Sequence, residues 1–184
     1  MKNKIIYSLI FLFSIIVLVL FFNLNIFENT TLTVNKNLKV SDSPFYKKYY
    51  SQDKLTVVNI WATWCKPCME EIPDLNNLKE EFKNNEINFV SFSIDHMNDL
   101  EKLKTFIYSK KFQWKDITLE NWDYKKTIEN LFYNNSSNFS FISINSMDIP
   151  RTLIIKNKTV IKEYNGSIDY NEISGFLRDE LKKK

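Results

Sequence analysis

The sequence predicts an α/β domain with a central mixed β-sheet flanked by helices, preceded by one N-terminal transmembrane helix. Three observations predict this architecture. Apolar runs of strand length alternate with segments of helical periodicity. Near the C-terminus, two strand-like segments are joined by only two residues, as in an antiparallel hairpin. An uncharged apolar run close to the N-terminus is long enough to cross a bilayer as a helix.

That N-terminal run predicts a membrane anchor over residues 1–22. Lys2 and Lys4 precede the uncharged residues 5–22, and the first charge after them is Glu28. Basic residues favour the cytoplasmic side, so the rest of the chain is expected on the extracytoplasmic, periplasmic side of the inner membrane. The alternative is a cleaved signal peptide. Its cleavage requires small residues, and bulky ones end the run, so we expect an uncleaved single-pass anchor. The domain is exported under both alternatives.

The exported part of this 184-residue chain divides into a tether and one domain. Residues 23–42 are rich in Asn and Thr and predict the tether, and residues 43–184 contain the periodic segments of the domain. The formal net charge of +3 is small and spread along the chain, so we expect no nucleic-acid partner.

The first half of the domain predicts strand, helix, strand and helix. Residues 55–60 are almost continuously apolar, which is typical of a strand buried on both faces. A helix then runs to about residue 84, with Pro73 expected to kink it. Residues 87–94 alternate as a strand does, and residues 99–110 have helical periodicity.

The second half predicts a short helix, a hairpin and a final helix. Residues 112–122 are ambiguous, residues 124–132 predict the short helix, and a loop follows. The hairpin comprises strands over residues 151–156 and 159–164, and the final helix begins at a capping box and runs to residue 181.

Cys65 and Cys68 are the only cysteines, and they lie between the first strand and its helix. A Cys-x-x-Cys pair in this context can cycle between dithiol and disulfide. A structural disulfide is a poor alternative, because so short a loop removes little unfolded-state entropy. A zinc site is also disfavoured, because His96 is the single histidine, and we expect no cofactor.

The residues around this pair resemble a known family. Asn59-Ile60-Trp61-Ala62-Thr63-Trp64-Cys65-Lys66-Pro67-Cys68, continued by Met69-Glu70-Glu71-Ile72-Pro73, is similar to the membrane-anchored TlpA/ResA-like thiol–disulfide oxidoreductases of the thioredoxin superfamily. Ile149-Pro150-Arg151-Thr152 resembles the family's Pro-x-Thr strand opening. The resemblance extends from Ser43 to about Leu181 and implies a thioredoxin-like fold.

The resemblance also implies a role for individual residues. Cys65 is the exposed nucleophile and Cys68 the buried resolving thiol. Pro150 is a cis-proline facing the pair, and the residue before it, Ile149, pairs with substrate backbone. Glu71 matches the family's glutamate near the thiols. Its alternative role is an ordinary first-turn acid favoured by the helix dipole.

Three further residues beside the cysteines are candidates for substrate binding. Trp64 is an aromatic residue of the groove, Lys66 adds a cation beside Cys65, and Pro67 belongs in the first helical turn, where its missing N–H is harmless. A helix N-terminus at Cys65 favours thiolate over thiol.

The chain also departs from the wider superfamily at three places. Asn59 occupies the position of the buried aspartate of cytoplasmic thioredoxins, which leaves Glu71 as the better acid/base candidate. Lys158 stands where the hairpin usually has Gly. The segment 134–148 is longer than the family's usual link to the cis-proline and either shapes partner choice or is an idle surface loop.

The resemblance therefore implies a membrane-anchored oxidoreductase that reduces disulfides in exported proteins such as apocytochrome c. That direction requires a membrane electron donor of the DsbD/CcdA type. The alternatives are a non-catalytic binding or assembly factor, which has no need of both thiols, and a peroxiredoxin, whose Pro-x-x-x-Thr-x-x-Cys signature is absent.

Overall fold

A computed structural model describes residues 13–15, 38–109, 111–134 and 148–183. The chain divides into two compact units, residues 1–37 and 38–184, so the second unit begins ahead of the predicted domain start at residue 43. Within the described residues, no helix is both long and apolar enough to cross a membrane. Most of the predicted anchor and of the predicted tether lies outside those residues, as does most of the segment 134–148.

The second unit contains a mixed sheet, as predicted, and this sheet has five strands. Its strands are β1 (Leu55–Trp61), β2 (Ile87–Ser93), β3 (Lys115–Asp116), β4 (Arg151–Lys156) and β5 (Thr159–Asn165). They lie in the order β3-β2-β1-β4-β5. Strands β1, β2 and β3 are parallel, whereas β4 runs antiparallel to β1 and β5 antiparallel to β4. The carboxyl ends of β1 and β2 therefore meet at one edge of the sheet.

Five α-helices accompany the sheet among the described residues: α1 (Lys66–Glu70), α2 (Ile72–Glu81), α3 (Leu100–Tyr108), α4 (Lys125–Asn134) and α5 (Tyr170–Lys182). Short 3₁₀ turns cover Val40–Asp42, Met97–Asp99 and Leu119–Tyr124, and a π-helical turn covers Tyr46–Tyr50. The ambiguous residues 112–122 thus contain the short strand β3 and the start of a 3₁₀ turn.

The predicted kink at Pro73 is confirmed, and it divides the helix after the cysteines into α1 and α2. Pro73 has no N–H, so the carbonyl of Met69 receives no bond from it. Glu71 lies at the break with φ −84° and ψ −9°. Its N–H donates to the carbonyl of Pro67 and its carbonyl accepts from the N–H of Leu75. The break therefore places Glu71 at the junction of two helices.

The core lies on both faces of the sheet. Helices α2 and α5 pack on one face through Leu75, Leu78, Ile173 and Leu177. Helix α4 and the segment around residues 45–50 pack on the other face. A third cluster joins Trp61, the cysteines and Leu103 of α3 at the carboxyl end of β1. The cysteine pair thus lies where the carboxyl ends of β1 and β2 meet.

Two local features fix the ends of the last elements. The hairpin turn has positive φ at both central residues, 49° at Asn157 and 62° at Lys158. Glycine relieves this backbone strain most easily, but the chain holds Lys158 in place through its N–H, which donates to the carbonyl of Tyr50. Helix α5 is capped as predicted, because the Asp169 carboxylate accepts the N–H groups of Asn171 and Glu172.

Candidate active site

The cysteine pair lies at the junction of β1 and α1. The strand ends at Trp61, a turn follows, and the N–H of Cys65 donates to the carbonyl of Ala62 at 3.1 Å. Cys65 is then the N-cap residue of α1. The two sulfurs are joined as a disulfide, so the structure represents the oxidised form of the pair.

Both cysteines are buried in this form. Cys65 exposes 5% of its surface and Cys68 exposes 2%. The expectation that Cys65 is exposed is therefore wrong for the disulfide form, although Cys65 is the more accessible of the two. Trp61 and Leu103 pack in the same cluster as both cysteines.

The electrostatic support of Cys65 comes from the backbone rather than from Lys66. The N–H of Cys68 donates to the sulfur of Cys65 at 3.3 Å, and the same donor would stabilise a thiolate there. The Lys66 ammonium lies 3.6 Å from a carboxylate oxygen of Glu70, and its side chain is 86% exposed. Water screens a cation in that position, so Lys66 contributes less than its place in the sequence predicts.

The predicted cis peptide bond before Pro150 is confirmed. Pro150 is buried, and its carbonyl accepts the N–H of Gly166 at 2.9 Å. Ile149 is half-buried and packs against the cluster that contains both cysteines. The fold therefore brings Ile149 and the redox pair together from distant parts of the chain.

Three candidate substrate-binding residues form the exposed side of this site. Trp64 is 61% exposed, and Lys66 and Pro67 are exposed as well. Trp64 and Trp61 have opposite environments, since Trp61 is buried with its ring 4.8 Å from that of Phe106. An exposed tryptophan next to a buried disulfide suits contact with a partner protein.

Glu71 is a buried acid whose carboxylate accepts two hydrogen bonds. One carboxylate oxygen accepts the side-chain amide of Asn59 at 2.9 Å, and the other accepts the N–H of Ile168 at 3.1 Å. Burial raises the pKa of Glu71 to about 7. The two hydrogen bonds lower it by less, and the charge of nearby Asp74 raises it further. A group with such a pKa can both accept and release a proton near neutral pH.

Asn59 connects Glu71 to the strand that follows the cis-proline. Its amide nitrogen donates to Glu71 and also to the hydroxyl of Thr152 at 3.1 Å. Its Oδ1 is buried without a hydrogen-bond partner. The O–H of a protonated Glu71 needs a hydrogen-bond acceptor, and Asn59 Oδ1 becomes that acceptor if the Asn59 amide flips. The asparagine that replaces the superfamily's aspartate thus supports the acid at Glu71.

Two further buried acids near the site escaped the sequence analysis. Asp95, two residues after the end of β2, is fully buried, and its carboxylate accepts hydrogen bonds from Thr63 in the turn before Cys65. Burial raises the pKa of Asp116 to about 6, opposed by hydrogen bonds from Thr118 and Ser91. Its position in the chain could have indicated that Asp95 lies near the site, because residues that follow adjacent parallel strands lie side by side. In the described part of the chain, no group of three or more His, Cys, Asp or Glu residues could hold a metal ion.

Comparisons with known proteins agree with this geometry. Residues 53–161 match a family model described as thioredoxin-like. The chain is 33% identical over 86 residues to the thioredoxin-like protein HCF164 of Arabidopsis thaliana, covering 45% of this chain and 32% of that protein. It is 39% identical over 44 residues to the thiol–disulfide oxidoreductase ResA of Oceanobacillus iheyensis, covering 24% of this chain and 23% of ResA.

Similarity to solved structures concerns the fold. The crystal structure of StoA from Bacillus subtilis superposes with a TM-score of 0.50 at 14% identity, covering 68% of this chain and 84% of StoA. The two sequence matches, in contrast, span a third or less of the relatives' own length. The fold thus extends over more of the chain than the sequence similarity does.

Proposed function

The chain belongs to the thioredoxin-like family, and we propose that it is a membrane-anchored thiol–disulfide oxidoreductase that reduces disulfides in exported proteins. The single observation that carries the activity is the disulfide-bonded Cys65–Cys68 pair packed against Ile149, the residue before cis-Pro150. The proposed reaction is therefore thiol–disulfide exchange.

In the proposed reaction, the reduced protein transfers two electrons to its client. The Cys65 thiolate attacks one client sulfur, which forms a mixed disulfide and releases the other client sulfur as a thiolate. Cys68 then loses its proton and attacks the sulfur of Cys65. This step forms the Cys65–Cys68 disulfide and releases the second client thiol. Glu71, with its pKa of about 7, is the proposed acceptor of the Cys68 proton.

The exposed residues around the pair are the proposed docking site of the client. Trp64, Lys66 and Pro67 present side chains to solvent beside the disulfide. Ile149 presents backbone that can pair with an extended client segment, as a sheet edge does. Pro150 forms the opposite wall of the groove. These contacts use backbone and apolar surface, so they suit many client sequences.

The reductive direction and the location rest on the sequence. The uncharged run at residues 5–22 and the preceding lysines favour a single-pass anchor in the inner membrane, with the domain on the periplasmic side. Thiols there are oxidised unless electrons are supplied. A membrane electron donor of the DsbD/CcdA type would return two electrons to the Cys65–Cys68 disulfide, and apocytochrome c is one candidate client.

Trapping with a Cys68→Ala variant tests the activity and identifies the client. We expect mixed disulfides between Cys65 and exported proteins to accumulate, because the resolving thiol is missing. Non-reducing gels and mass spectrometry would detect them, with the Cys65→Ala, Cys68→Ala double variant as the matched control. Recovery of a cytochrome c precursor alone would indicate one pathway, and many clients a general reductase. If Cys68→Ala traps no protein, the alternative of a non-catalytic binding factor is favoured instead.

Extraction of membranes tests the proposed anchor. We expect the full chain to remain in the membrane pellet at alkaline pH and a chain starting at residue 38 to be soluble, because only the former contains the apolar run. Protease added outside the inner membrane should digest the domain of the full chain. A shorter mature protein released at alkaline pH would support the cleaved signal instead, and release of the full-length chain would contradict the anchor.

A further inference from the structure

Asp95 is a fully buried carboxylate with no part in the proposed reaction. It follows the last residues of β2 and exposes none of its surface. A buried charge costs several kcal/mol unless it is well bonded, so its presence there requires a reason. That reason lies in what its two oxygens contact.

Both oxygens of Asp95 accept hydrogen bonds from the turn that leads to Cys65, and one of them also accepts from the end of β2. The backbone N–H of Thr63 donates to one oxygen at 2.9 Å, and the Thr63 hydroxyl donates to the other at 2.6 Å. The Ser93 hydroxyl donates at 2.6 Å, while its oxygen accepts the N–H of Asp95 at 3.0 Å. Three donors therefore converge on the carboxylate, and both of its oxygens accept hydrogen bonds.

The sheet register explains why these residues meet. Trp61, the last residue of β1, lies beside Ser93, the last residue of β2. The N–H of Ile94 donates to the carbonyl of Trp61 at 2.9 Å, which extends the pairing by one residue. Thr63 and Asp95 therefore leave adjacent parallel strands side by side. Since Thr63 is two residues before Cys65, the carboxylate holds the turn that carries the nucleophile.

We propose that Asp95 is a positioning residue for the redox pair, which clamps the Thr63 turn and holds a negative charge at that turn, two residues before Cys65, that makes the couple more reducing. The proposal rests on the proposed function, because it concerns the same cysteines. Asp95 touches neither sulfur, so it acts through the turn and through its charge.

The effect of the charge follows from the exchange reaction. The protein disulfide and two glutathione molecules give the protein dithiol and one oxidised glutathione, so one S–S bond breaks and one forms. A negative charge nearby disfavours a thiolate on Cys65, and a less stable thiolate makes the reduced protein less stable. The other charged groups near the pair, Lys66 and Glu71, remain in the variants described below.

Asp95→Asn removes the charge and keeps the shape. The asparagine oxygen can still accept from Thr63 N–H and Ser93, and its amide can donate to the Thr63 hydroxyl. We expect the equilibrium with glutathione to shift about threefold to tenfold toward the dithiol, and the pKa of Cys65 to fall by about half a unit to one unit. Full-length protein in detergent, absorbance of the thiolate at varied pH, and redox titration would measure both.

A matched control separates the charge beside the turn from buried charge in general. Asp116 is also a buried carboxylate on the same sheet. It bonds to Ser91 and Thr118, and Trp61 also lowers its pKa, but it does not bond to Thr63. We expect Asp116→Asn to change the melting temperature while leaving the glutathione equilibrium within twofold of the wild type. An equal shift in both variants, or none in Asp95→Asn, would overturn the proposal.

Variants of Thr63 test the clamp and keep the proposal falsifiable if Asp95→Asn does not fold. Thr63→Ser keeps the hydroxyl and should react with a small disulfide at the wild-type rate. Thr63→Val loses the hydroxyl bond, and its rate should fall fivefold or more. Equal rates for the two variants would overturn the clamp. The proposed function fails separately, if wild-type protein with both thiols reduced does not reduce a protein disulfide.

Discussion

Replacing Cys65 with serine is expected to abolish disulfide reduction, with a loss on the order of 1,000-fold or more. Cys65 is the first cysteine along the chain, at the N-cap of α1, where the N–H of Cys68 donates to its sulfur. A serine hydroxyl in that place remains protonated and is a far poorer nucleophile than a thiolate. The rate of reduction of a protein disulfide such as insulin, measured with a chemical reductant as electron source, checks this result.

The matched control is Cys68→Ser, which keeps the proposed nucleophile. It should still form the mixed disulfide with client, although release would be slow. Activity above a tenth of the wild type in Cys65→Ser would contradict the assignment of Cys65 as the attacking thiol. Faster first attack by the Cys65→Ser protein than by the Cys68→Ser protein would exchange the two roles.

The second large effect is expected for Glu71→Gln, which should slow resolution of the mixed disulfide about 100-fold. Glutamine keeps the shape of Glu71 but cannot accept the Cys68 proton. Because the pKa of Glu71 is raised to about 7, wild-type resolution should accelerate as pH rises through 7. The glutamine variant should lose that dependence. Stopped-flow measurement of the second thiol released from a client disulfide would record both effects.

The same substitution should stabilise the fold at neutral and higher pH. The folded-state pKa of Glu71 is about 7 and the ordinary value is 4.5. As pH rises through this window the unfolded chain loses its proton first, so the stability from Glu71 is present below pH 4.5 and is lost by pH 7. Glu71→Gln should therefore raise the free energy of unfolding by up to about 3 kcal/mol at pH 8 and change it little at pH 4.

Glu70→Gln is the matched control for both measurements. Glu70 precedes Glu71 in the chain but is exposed and faces Lys66 on the surface. We expect unchanged resolution and a change in stability of no more than about 0.5 kcal/mol. If Glu70→Gln and Glu71→Gln slow the reaction equally, the effect is one of net charge and the proton transfer proposed for Glu71 is wrong.

Most of the fold could be predicted because its elements have strong local patterns. The apolar run at residues 55–60 and the alternation at residues 87–94 match β1 and β2 closely. The missing N–H of Pro73 predicts the break between α1 and α2. Residues 112–122 could not be assigned, since β3 has only two residues and its pairing with β2 is a long-range contact.

The site was predicted where motifs carry the information and was incomplete where burial decides it. Pro150 was recognised as cis from its motif. The low exposure of Cys65 depends on packing against Leu103, which is 38 residues away in the printed sequence. The role proposed for Asp95 could not be foreseen either. An acid after a strand is usually solvated, and nothing in the local sequence indicates that Thr63 donates hydrogen bonds to it.

The sequence by itself determined the order of elements, the redox pair and the proline opposite it, because these follow from periodicity and from short motifs. The tertiary structure alone decided how Glu71 is bonded and that Asp95 meets the turn before the pair. Burial raises the pKa of Glu71 although the hydrogen bonds from Asn59 and Ile168 lower it, and Asp95 reaches Thr63 because two parallel strands end together. Desolvation and long-range pairing are properties of the assembled sheet, so no local pattern encodes them.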